Sequence, residues 1–185
     1  VSSSAASDVY KRQLLGSASL SDANSNNAYT ISISADDAAV SASDLNAIND
    51  LTSIAVNLAN VNSITASDFT DLTTLNANRD EFSNINGIAA ITFSDRGAES
   101  VDYGTLETII DNYQTNFNSD VAFSFQSGDT IVIDSDSELS AFLADVASGA
   151  LVLTNQSVTI DSSSPITVSQ ANDIDVLTEG TITAS

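Results

Sequence analysis

One phrase occurs twice in this chain within a few dozen residues, and this repetition limits the folds that the chain can adopt. VSASDLNAINDLTS begins at Val40, and ITASDFTDLTTLNA begins at Ile64. Related phrases begin at Val101 and Ile166. In each phrase the apolar residue is followed by a type favoured at helix N-caps: Ser41, Thr65, Asp102 and Thr167. The repetition predicts four helices that begin in the same way.

The positions beyond the predicted caps support this interpretation. Thr167 and Gln170 have the spacing of a capping box, in which each side chain bonds the backbone of the other residue. Asp44 and Asp68 stand three residues after their predicted caps and make acidic versions of the same pattern. A degenerate fifth phrase begins at Ile133, with Ser135 and Glu138 as its box residues: IDSDSELSAFLADVAS.

Each predicted cap is followed by apolar residues at helical spacing, and each set forms one narrow stripe. The stripes are Leu45/Ile48/Leu51, Phe69/Leu72/Leu75, Leu106/Ile109/Ile110/Tyr113, Leu139/Phe142/Leu143/Val146 and Ile174/Leu177. Such short helices are not stable alone in water, so each must pack against a neighbour.

Runs with a period of two lie between the predicted helices and indicate strands. The first runs are Tyr29/Ile31/Ile33, Ile54/Val56/Leu58, Val121/Phe123/Phe125 and Leu151/Leu153. Shorter runs follow several of them: TIVI at 130–133, SVTI at 157–160 and PITV at 165–168. The predicted unit is therefore a strand, a turn, a short strand and a helix.

The spacing of these units predicts the fold class. Predicted strand starts near Thr30, Ile54, Ile88, Val121, Leu151 and Thr181 are separated by 24, 34, 33, 30 and 31 residues. We predict an α/β solenoid of ~30-residue strand-turn-strand-helix coils with parallel strands, because this period is typical of stacked coils that share a core. The alternative is a closed α/β sandwich whose helices share a generic cap.

Composition excludes several classes of function. Asp and Glu number 25 against 4 Lys and Arg, a formal net charge of -21, so nucleic acid and anionic lipid are not expected partners. The chain has no Cys, which excludes disulfides and thiolate chemistry, and no His, the usual general base. No apolar run approaches the ~20 residues that span a bilayer, so direct membrane insertion is not expected.

The chain divides into three parts by sequence character. Residues 1–13, VSSSAASDVYKRQ, match nothing downstream and hold half of the basic residues, and we interpret them as a non-native or disordered leader. We expect residues 14–27 to be a disordered linker. Residues 28–185 form the predicted array of about five coils, which we expect to be truncated at the C-terminus.

The repeated wording also carries a resemblance. VSASDLNAIND and ITASDFTDL, together with TISIS, SVTID and the closing LTEGTITAS, resemble the long repeat tracts of giant cell-surface, adhesin-like proteins of marine bacteria and cyanobacteria. The resemblance implies an exported protein at the cell surface or outside the cell. Such a protein would act as a spacer or scaffold and would contact its own neighbouring repeats, a cell-surface glycan or the matrix. The segment DNYQTNFNSDVAFSFQSGD departs from the pattern.

The residues suggest no catalytic or cofactor-binding site, and we predict that the chain is not an enzyme. Paired carboxylates on a solenoid could bind or cleave carbohydrate, which is the alternative function. Asp134, Asp136, Glu138 and Asp145 match positions 1, 3, 5 and 12 of a calcium-binding EF-hand loop, but Leu139 stands where the loop needs Gly. A helix start explains the same residues better, so no metal ligand is assigned, and diffuse calcium binding by turn carboxylates is left open. A Thr-row surface for ice or mineral is disfavoured because TIT at 181–183 does not recur in every coil.

Overall fold

A computed structural model of the chain describes residues 28, 30–94, 97–161 and 166–184. Its helices are α1 (Ala42–Asn49), α2 (Phe69–Ala77), α3 (Tyr103–Asn116), α4 (Asp136–Ser148) and α5 (Val168–Asp175). Short 3₁₀ turns occupy Arg79–Glu81 and Ile85–Gly87. The predicted leader and linker, residues 1–13 and 14–27, lie outside the described residues.

The strands are short, and they alternate with the helices along the chain. They are β1 (Ala39–Ser41), β2 (Val56–Asn57), β3 (Ser63–Ala66), β4 (Phe82–Ser83), β5 (Ala90–Phe93), β6 (Ser100–Asp102), β7 (Ala122–Ser124), β8 (Thr130–Ile133), β9 (Leu151–Val152), β10 (Ser157–Ile160) and β11 (Ile182–Ala184). The predicted α/β class with parallel strands is confirmed, since every strand pair is parallel.

The largest sheet follows the order of the chain, β1-β3-β5-β7-β9. Its register places Val40 beside Ile64, Ile64 beside Ile91, Ile91 beside Phe123 and Phe123 beside Leu151. These partners are 24, 27, 32 and 28 residues apart by their numbers. Each inner strand of this sheet therefore pairs with the sheet strands that precede and follow it in the chain.

The other two sheets follow the same rule. The four-stranded sheet has the order β6-β8-β10-β11, and its central row is Val101, Ile131, Val158 and Ile182. The two-stranded sheet pairs β2 with β4, and Ser32 forms an isolated parallel bridge with Asn57 of β2. All three sheets in the described residues are therefore built from parallel strands.

The strand that follows a helix does not belong to the same sheet throughout the chain. The strands after α1 and α2, which are β2 and β4, belong to the two-stranded sheet, whereas the strands after α3 and α4, which are β7 and β9, belong to the five-stranded sheet. Between them, residues 82–102 carry β4, β5 and β6 in succession, one strand for each sheet, before α3 begins. After this segment, the strand that follows α3 or α4 joins the five-stranded sheet and not the two-stranded sheet.

The core lies between the sheets and the helices. Inward residues of the strands alternate with exposed or half-buried ones, so that Ile64, Ile91 and Phe123 are fully buried. The helical stripes bury their central residues, such as Leu45, Leu72, Leu106, Ile110, Leu139, Phe142 and Ile174. The predicted stripes therefore face the core.

Most of the predicted helix starts are confirmed. Ser41, Asp102, Ser135 and Thr167 are N-caps whose side chains accept a hydrogen bond from the backbone N–H three residues later. Thr167 and Gln170 form the complete capping box. In the degenerate phrase, Glu138 Oε2 instead accepts from the N–H of Asp134 at 2.8 Å.

One predicted cap is wrong. Thr65 lies in β3, where it pairs with Thr92, and the N-cap of α2 is Asp68, whose side chain accepts from the N–H of Asp71 at 3.0 Å. The strand continues through Ala66 because β5 supplies hydrogen-bond partners along its length, and this delays the helix by one turn. A carboxylate three residues later then caps α2.

The strand predictions need three further corrections. PITV at 165–168 is not a strand, since Thr167 caps α5 and Val168 is its first residue, and Pro165 lies outside the described residues. Tyr29 also lies outside them, and the run that it begins contributes a bridge at Ser32. The apolar residues Val40, Ile64 and Val101, which were assigned only to helix starts, are buried in β1, β3 and β6.

Candidate functional site

A groove of about 440 Å³ lies between α2 and the first half of α3, and it includes Asp102 at the end of β6. It is lined by Leu72, Thr73, Asn76, Asp102, Gly104, Thr105, Thr108, Ile109, Asn112 and Tyr113. The volume lies in the range of small-molecule sites, and the lining combines apolar, hydroxyl and amide groups. The groove is therefore the best candidate for a ligand site in the described part of the chain.

Several polar groups of this groove already form hydrogen bonds within α3 or between α2 and α3. Asp102 Oδ1 accepts from the N–H of Thr105 at 2.8 Å and from its hydroxyl at 2.6 Å. The hydroxyl of Thr108 donates to the carbonyl of Gly104 at 3.1 Å, and the buried hydroxyl of Tyr113 donates to the carbonyl of Leu72 at 2.9 Å. Burial raises the pKa of Tyr113, so this phenol stays neutral. Its hydrogen bond to Leu72 joins α3 to α2.

The groove does not have the arrangement that glycoside cleavage needs. Among the residues that line it, Asp102 is the carboxylate, and its Oδ1 is engaged in the helix cap. Paired-carboxylate hydrolysis needs two facing carboxyl groups roughly 5–9.5 Å apart. The groove therefore offers hydrogen-bonding groups for a neutral ligand but no acid–base pair.

A second polar cluster lies between α3 and α4. The buried hydroxyl of Tyr103 donates to Asp145 Oδ2 at 2.6 Å, with Glu107, Asp111 and Glu138 nearby. Burial raises the pKa of Asp145, the Tyr103 hydrogen bond lowers it, and the charge of Asp111 raises it. The pKa of Glu107 is also raised, first by burial and then by Asp111, Asp145 and Glu138. The cluster is thus a group of carboxylates at a helix–helix contact, and among the described residues no Lys or Arg forms a salt bridge with it.

The residues with EF-hand spacing form part of a helix and make hydrogen bonds within the chain. Asp136, Glu138 and Asp145 lie on α4, Glu138 bonds the backbone of Asp134, and Asp145 accepts from Tyr103. The helix interpretation of this segment is confirmed. Within the described ranges, no group of three or more Asp or Glu residues is arranged to hold a metal ion.

Sequence reasoning missed the partners of this cluster. Glu107 and Asp111 are four residues apart on α3, and this like-charge spacing was readable in the sequence. Tyr103 and Asp145 are 42 residues apart, and no local pattern connects them. Only the packing of α3 against α4 brings them together.

Polar side chains also connect successive units. In each of three places an amide side chain donates to a backbone carbonyl about one unit earlier: Asn60 to Ile33 at 2.8 Å, Asn118 to Ile88 at 3.1 Å and Gln156 to Phe125 at 2.9 Å. These partners are 27, 30 and 31 residues apart. Each bond gives a backbone carbonyl outside the strands a hydrogen-bond partner from a segment about 30 residues later.

Aromatic side chains make a similar connection inside the core. The rings of Phe93 and Phe125 stack with centroids 4.7 Å apart and an interplanar angle of 10°. Phe69 meets Phe93 edge-on at 4.9 Å. The three rings come from α2, β5 and the residue after β7, and they form one continuous apolar contact.

No protein-family model, curated protein or solved structure matches this chain. In the part of the chain that the structure describes, no helix is both long enough and apolar enough to cross a membrane.

Proposed function

We propose that this chain is an α/β solenoid of ~30-residue strand-turn-strand-helix coils and serves as a structural or adhesive segment of a large exported protein at the cell surface. In this role it acts as a spacer or scaffold and has no catalytic function. The observation that carries the proposal is the order of the five-stranded sheet, in which the strands follow one another in chain order and β3, β5 and β7 each pair with the strand before and the strand after.

The contacts between units support an axial stack. The amide-to-carbonyl bonds from Asn60, Asn118 and Gln156, and the stack of Phe93 on Phe125, all join one unit to the next. A coil with so few buried residues cannot fold alone, whereas stacked coils share a continuous core. The first partners of each coil are therefore the neighbouring repeats of the same chain.

The charge of the chain suits an extended segment in salty surroundings. At a net charge of -21 the chains repel one another and stay dispersed, and salt at ~0.15 M limits this repulsion to about 8 Å. Acidic side chains in the first turns of α1, α2 and α4 are also favoured by the positive end of the helix dipole. The acidic residues thus serve solubility and helix starts, and the proposal requires no bound calcium.

Ile48→Asp tests the axial stack. Ile48 is buried in α1, which packs against α2, so a charge there should unfold α1 and loosen α2. Hydrogen exchange should show faster exchange over 39–77 and nearly unchanged protection over 136–160. Ser43→Asp on the exposed face of the same helix is the matched control and should leave both regions protected.

A uniform loss of protection across the chain in Ile48→Asp would contradict the stack, because a single closed core transmits damage everywhere. Loss of protection in 136–160 without loss in α2 would contradict it as well. The control separates both results from a simple effect of added charge.

Carbohydrate binding on the same scaffold is the second candidate, and the groove between α2 and α3 is the observation that favours it. Its hydroxyl and amide groups suit neutral sugars, and Asn112 lies on its wall, half-buried. Calorimetric titration with neutral oligosaccharides should give binding that Asn112→Leu abolishes and that Asn155→Leu, far along the chain, retains. Absence of binding to any such oligosaccharide would reject this candidate and leave the spacer role unaffected.

A further inference from the structure

Asn86 is followed by Gly87, and this is the one Asn-Gly pair in the chain. The pair lies in the short 3₁₀ turn Ile85–Gly87, between β4 and β5, and both residues are exposed. Among the described residues, none forms a hydrogen bond with the side chain of Asn86. The amide of Asn86 is therefore in contact with water and is not held in place by the fold.

The glycine determines how readily this amide can react. Asparagine is a chemically labile residue, because the backbone nitrogen of the next residue can attack its side-chain carbonyl carbon, Cγ, and close a five-membered ring. A side chain on that next residue hinders the attack, and glycine has none. A Cβ added at Gly87 would come no closer than 3.5 Å to any neighbouring atom, which is the carbonyl oxygen of Val61. The space around the attacking residue is therefore open.

The turn that holds the pair is weakly stabilised. The N–H of Ile88 closes it by donating to the carbonyl of Ile85 at 3.2 Å, and 3₁₀ bonds have poorer geometry than α-helical ones. Asn84, just before the turn, has a φ of 59°, in the left-handed region that costs free energy for a residue with a side chain. Exposed backbone bonds of this kind open locally while the rest of a chain stays folded. The backbone rotation that the attack needs is therefore accessible in the folded chain.

Two comparable asparagines of the described residues are held by hydrogen bonds. Asn62 and Asn118 are each followed by serine, which is also small. The N–H of the serine after Asn62 donates to the carbonyl of Ala38 at 3.1 Å, and so the attacking nitrogen is engaged between strands. The side chain of Asn118 donates to the carbonyl of Ile88 at 3.1 Å, and so the attacked amide is engaged. Asn86 combines the most reactive sequence with the least restraint.

We propose that Asn86 is a site of spontaneous deamidation and isomerisation in the folded chain. Hydroxide removes the N–H proton of Gly87, and the nitrogen forms a bond to Cγ of Asn86. The side-chain amide nitrogen takes up a proton and leaves as ammonia, which completes a succinimide ring. Water then opens the ring at either of its two carbonyl carbons and gives aspartate or isoaspartate. The net reaction consumes one water and releases one ammonia, and nothing is oxidised or reduced.

The two products should affect the fold differently. Aspartate adds one negative charge to an exposed turn, whereas isoaspartate also lengthens the main chain by one carbon, because the chain then runs through Cβ and Cγ. Ile88, two residues on, is fully buried, and its carbonyl accepts the bond from Asn118. The N–H of Ala89 donates to the carbonyl of Asn62 at 2.8 Å. An extra carbon would displace these groups, so isoaspartate should loosen the start of β5.

Peptide mapping by mass spectrometry, on folded chain incubated at several mildly alkaline pH values, tests the proposal. The peptide that contains Asn86 should convert before those that contain Asn62 and Asn118, with release of ammonia and at a rate proportional to hydroxide concentration. Gly87→Ala should convert about tenfold more slowly or less, which corresponds to ~1.4 kcal/mol of activation free energy. Its added Cβ makes an ordinary contact, so it should melt like the wild type. Gly97→Ala, which has open space around the added carbon, is the matched control and should leave the conversion unchanged.

Asn86→Gln keeps the glycine and a primary amide but would need a six-membered ring, so it should not convert, even if Gly87→Ala proved unstable. Earlier conversion of Asn62 or Asn118, equal rates in the wild type and a folded Gly87→Ala, or conversion of Asn86 only in urea would each overturn the proposal. Hydrogen exchange tests the structural consequence. Freshly prepared Asn86→Asp should keep protection over 90–93, and the purified isoaspartate form should lose it. Equal protection in the two forms would overturn the predicted loosening of β5.

Discussion

The hydroxyl of Tyr103 donates a 2.6 Å hydrogen bond to Asp145 and so joins α3 to α4 across 42 residues of sequence. The bond places the half-buried carboxylate of Asp145 near Glu107 and Asp111 of α3, and Glu107 is also influenced by the charge of Glu138. The described residues around this contact include no Lys or Arg. The contact is therefore stabilised by a hydrogen bond and opposed by like charges.

This arrangement makes stability depend on pH. The folded-state pKa values of Asp145 and Glu107 are raised, so the folded chain binds protons more tightly than the unfolded chain. The free energy of unfolding should therefore rise as pH falls from 7 through these raised values, and level off below the ordinary carboxyl pKa values of about 4. Urea denaturation at a series of pH values measures this effect.

Asp111→Asn should reduce the repulsion at neutral pH. Asp111 and Glu107 are an i,i+4 like-charge pair, and removing it should stabilise the chain by ~0.2–0.5 kcal/mol at pH 7, with the gain vanishing near pH 4. Asp173→Asn makes the same change of charge on the exposed face of α5 and is the control. Equal gains in the two variants would mean that net charge alone, and not the α3–α4 contact, controls the pH response.

Gln156→Glu should be strongly destabilising in a pH-dependent way. The amide of Gln156 is fully buried and donates to the carbonyls of Phe125 and Gln126, at 2.9 and 3.2 Å. A carboxylate would face these oxygens without a proton to donate, which should cost about 2–4 kcal/mol at pH 7 and less near pH 4, where a protonated Glu can donate one bond. Urea denaturation at both pH values measures the cost.

Asn155→Asp is the control for this variant, because its side chain is exposed and donates only to the hydroxyl of Ser127. It should change stability by less than about 0.5 kcal/mol. If Gln156→Glu were equally mild, the bond from Gln156 to the preceding unit would contribute nothing to the stack.

Gly180→Ala should separate β11 from the four-stranded sheet. An added Cβ at Gly180 would lie 2.0 Å from the carbonyl oxygen of Gln156, which is backbone and cannot move aside. The expected cost is ~1–3 kcal/mol, with faster hydrogen exchange at 182–184. Gly97→Ala has open space around the added carbon and should leave both quantities unchanged. Full protection of β11 in Gly180→Ala would contradict the close approach.

The features that the sequence predicted correctly depend on residues close together in the chain. Caps at Ser41, Asp102, Ser135 and Thr167 were predicted correctly because an N-cap bonds an N–H only three residues away. The apolar stripes were also readable, since 3.6-residue periodicity is a property of a single segment. The class of the fold followed from the alternation of these segments with period-two runs.

The tertiary structure decided everything that depends on a distant partner. Strands of two to four residues exist only because a neighbouring unit supplies their hydrogen bonds, and so β3 extends past Thr65 and Asp68 caps α2 in its place. For the same reason, the sequence did not predict that residues 82–102 carry three strands in succession, one for each sheet. The spacing of its phrases predicted a repeating unit. Pairing between distant segments determined which sheet each strand joined, because a backbone hydrogen bond needs a second strand that no local pattern identifies.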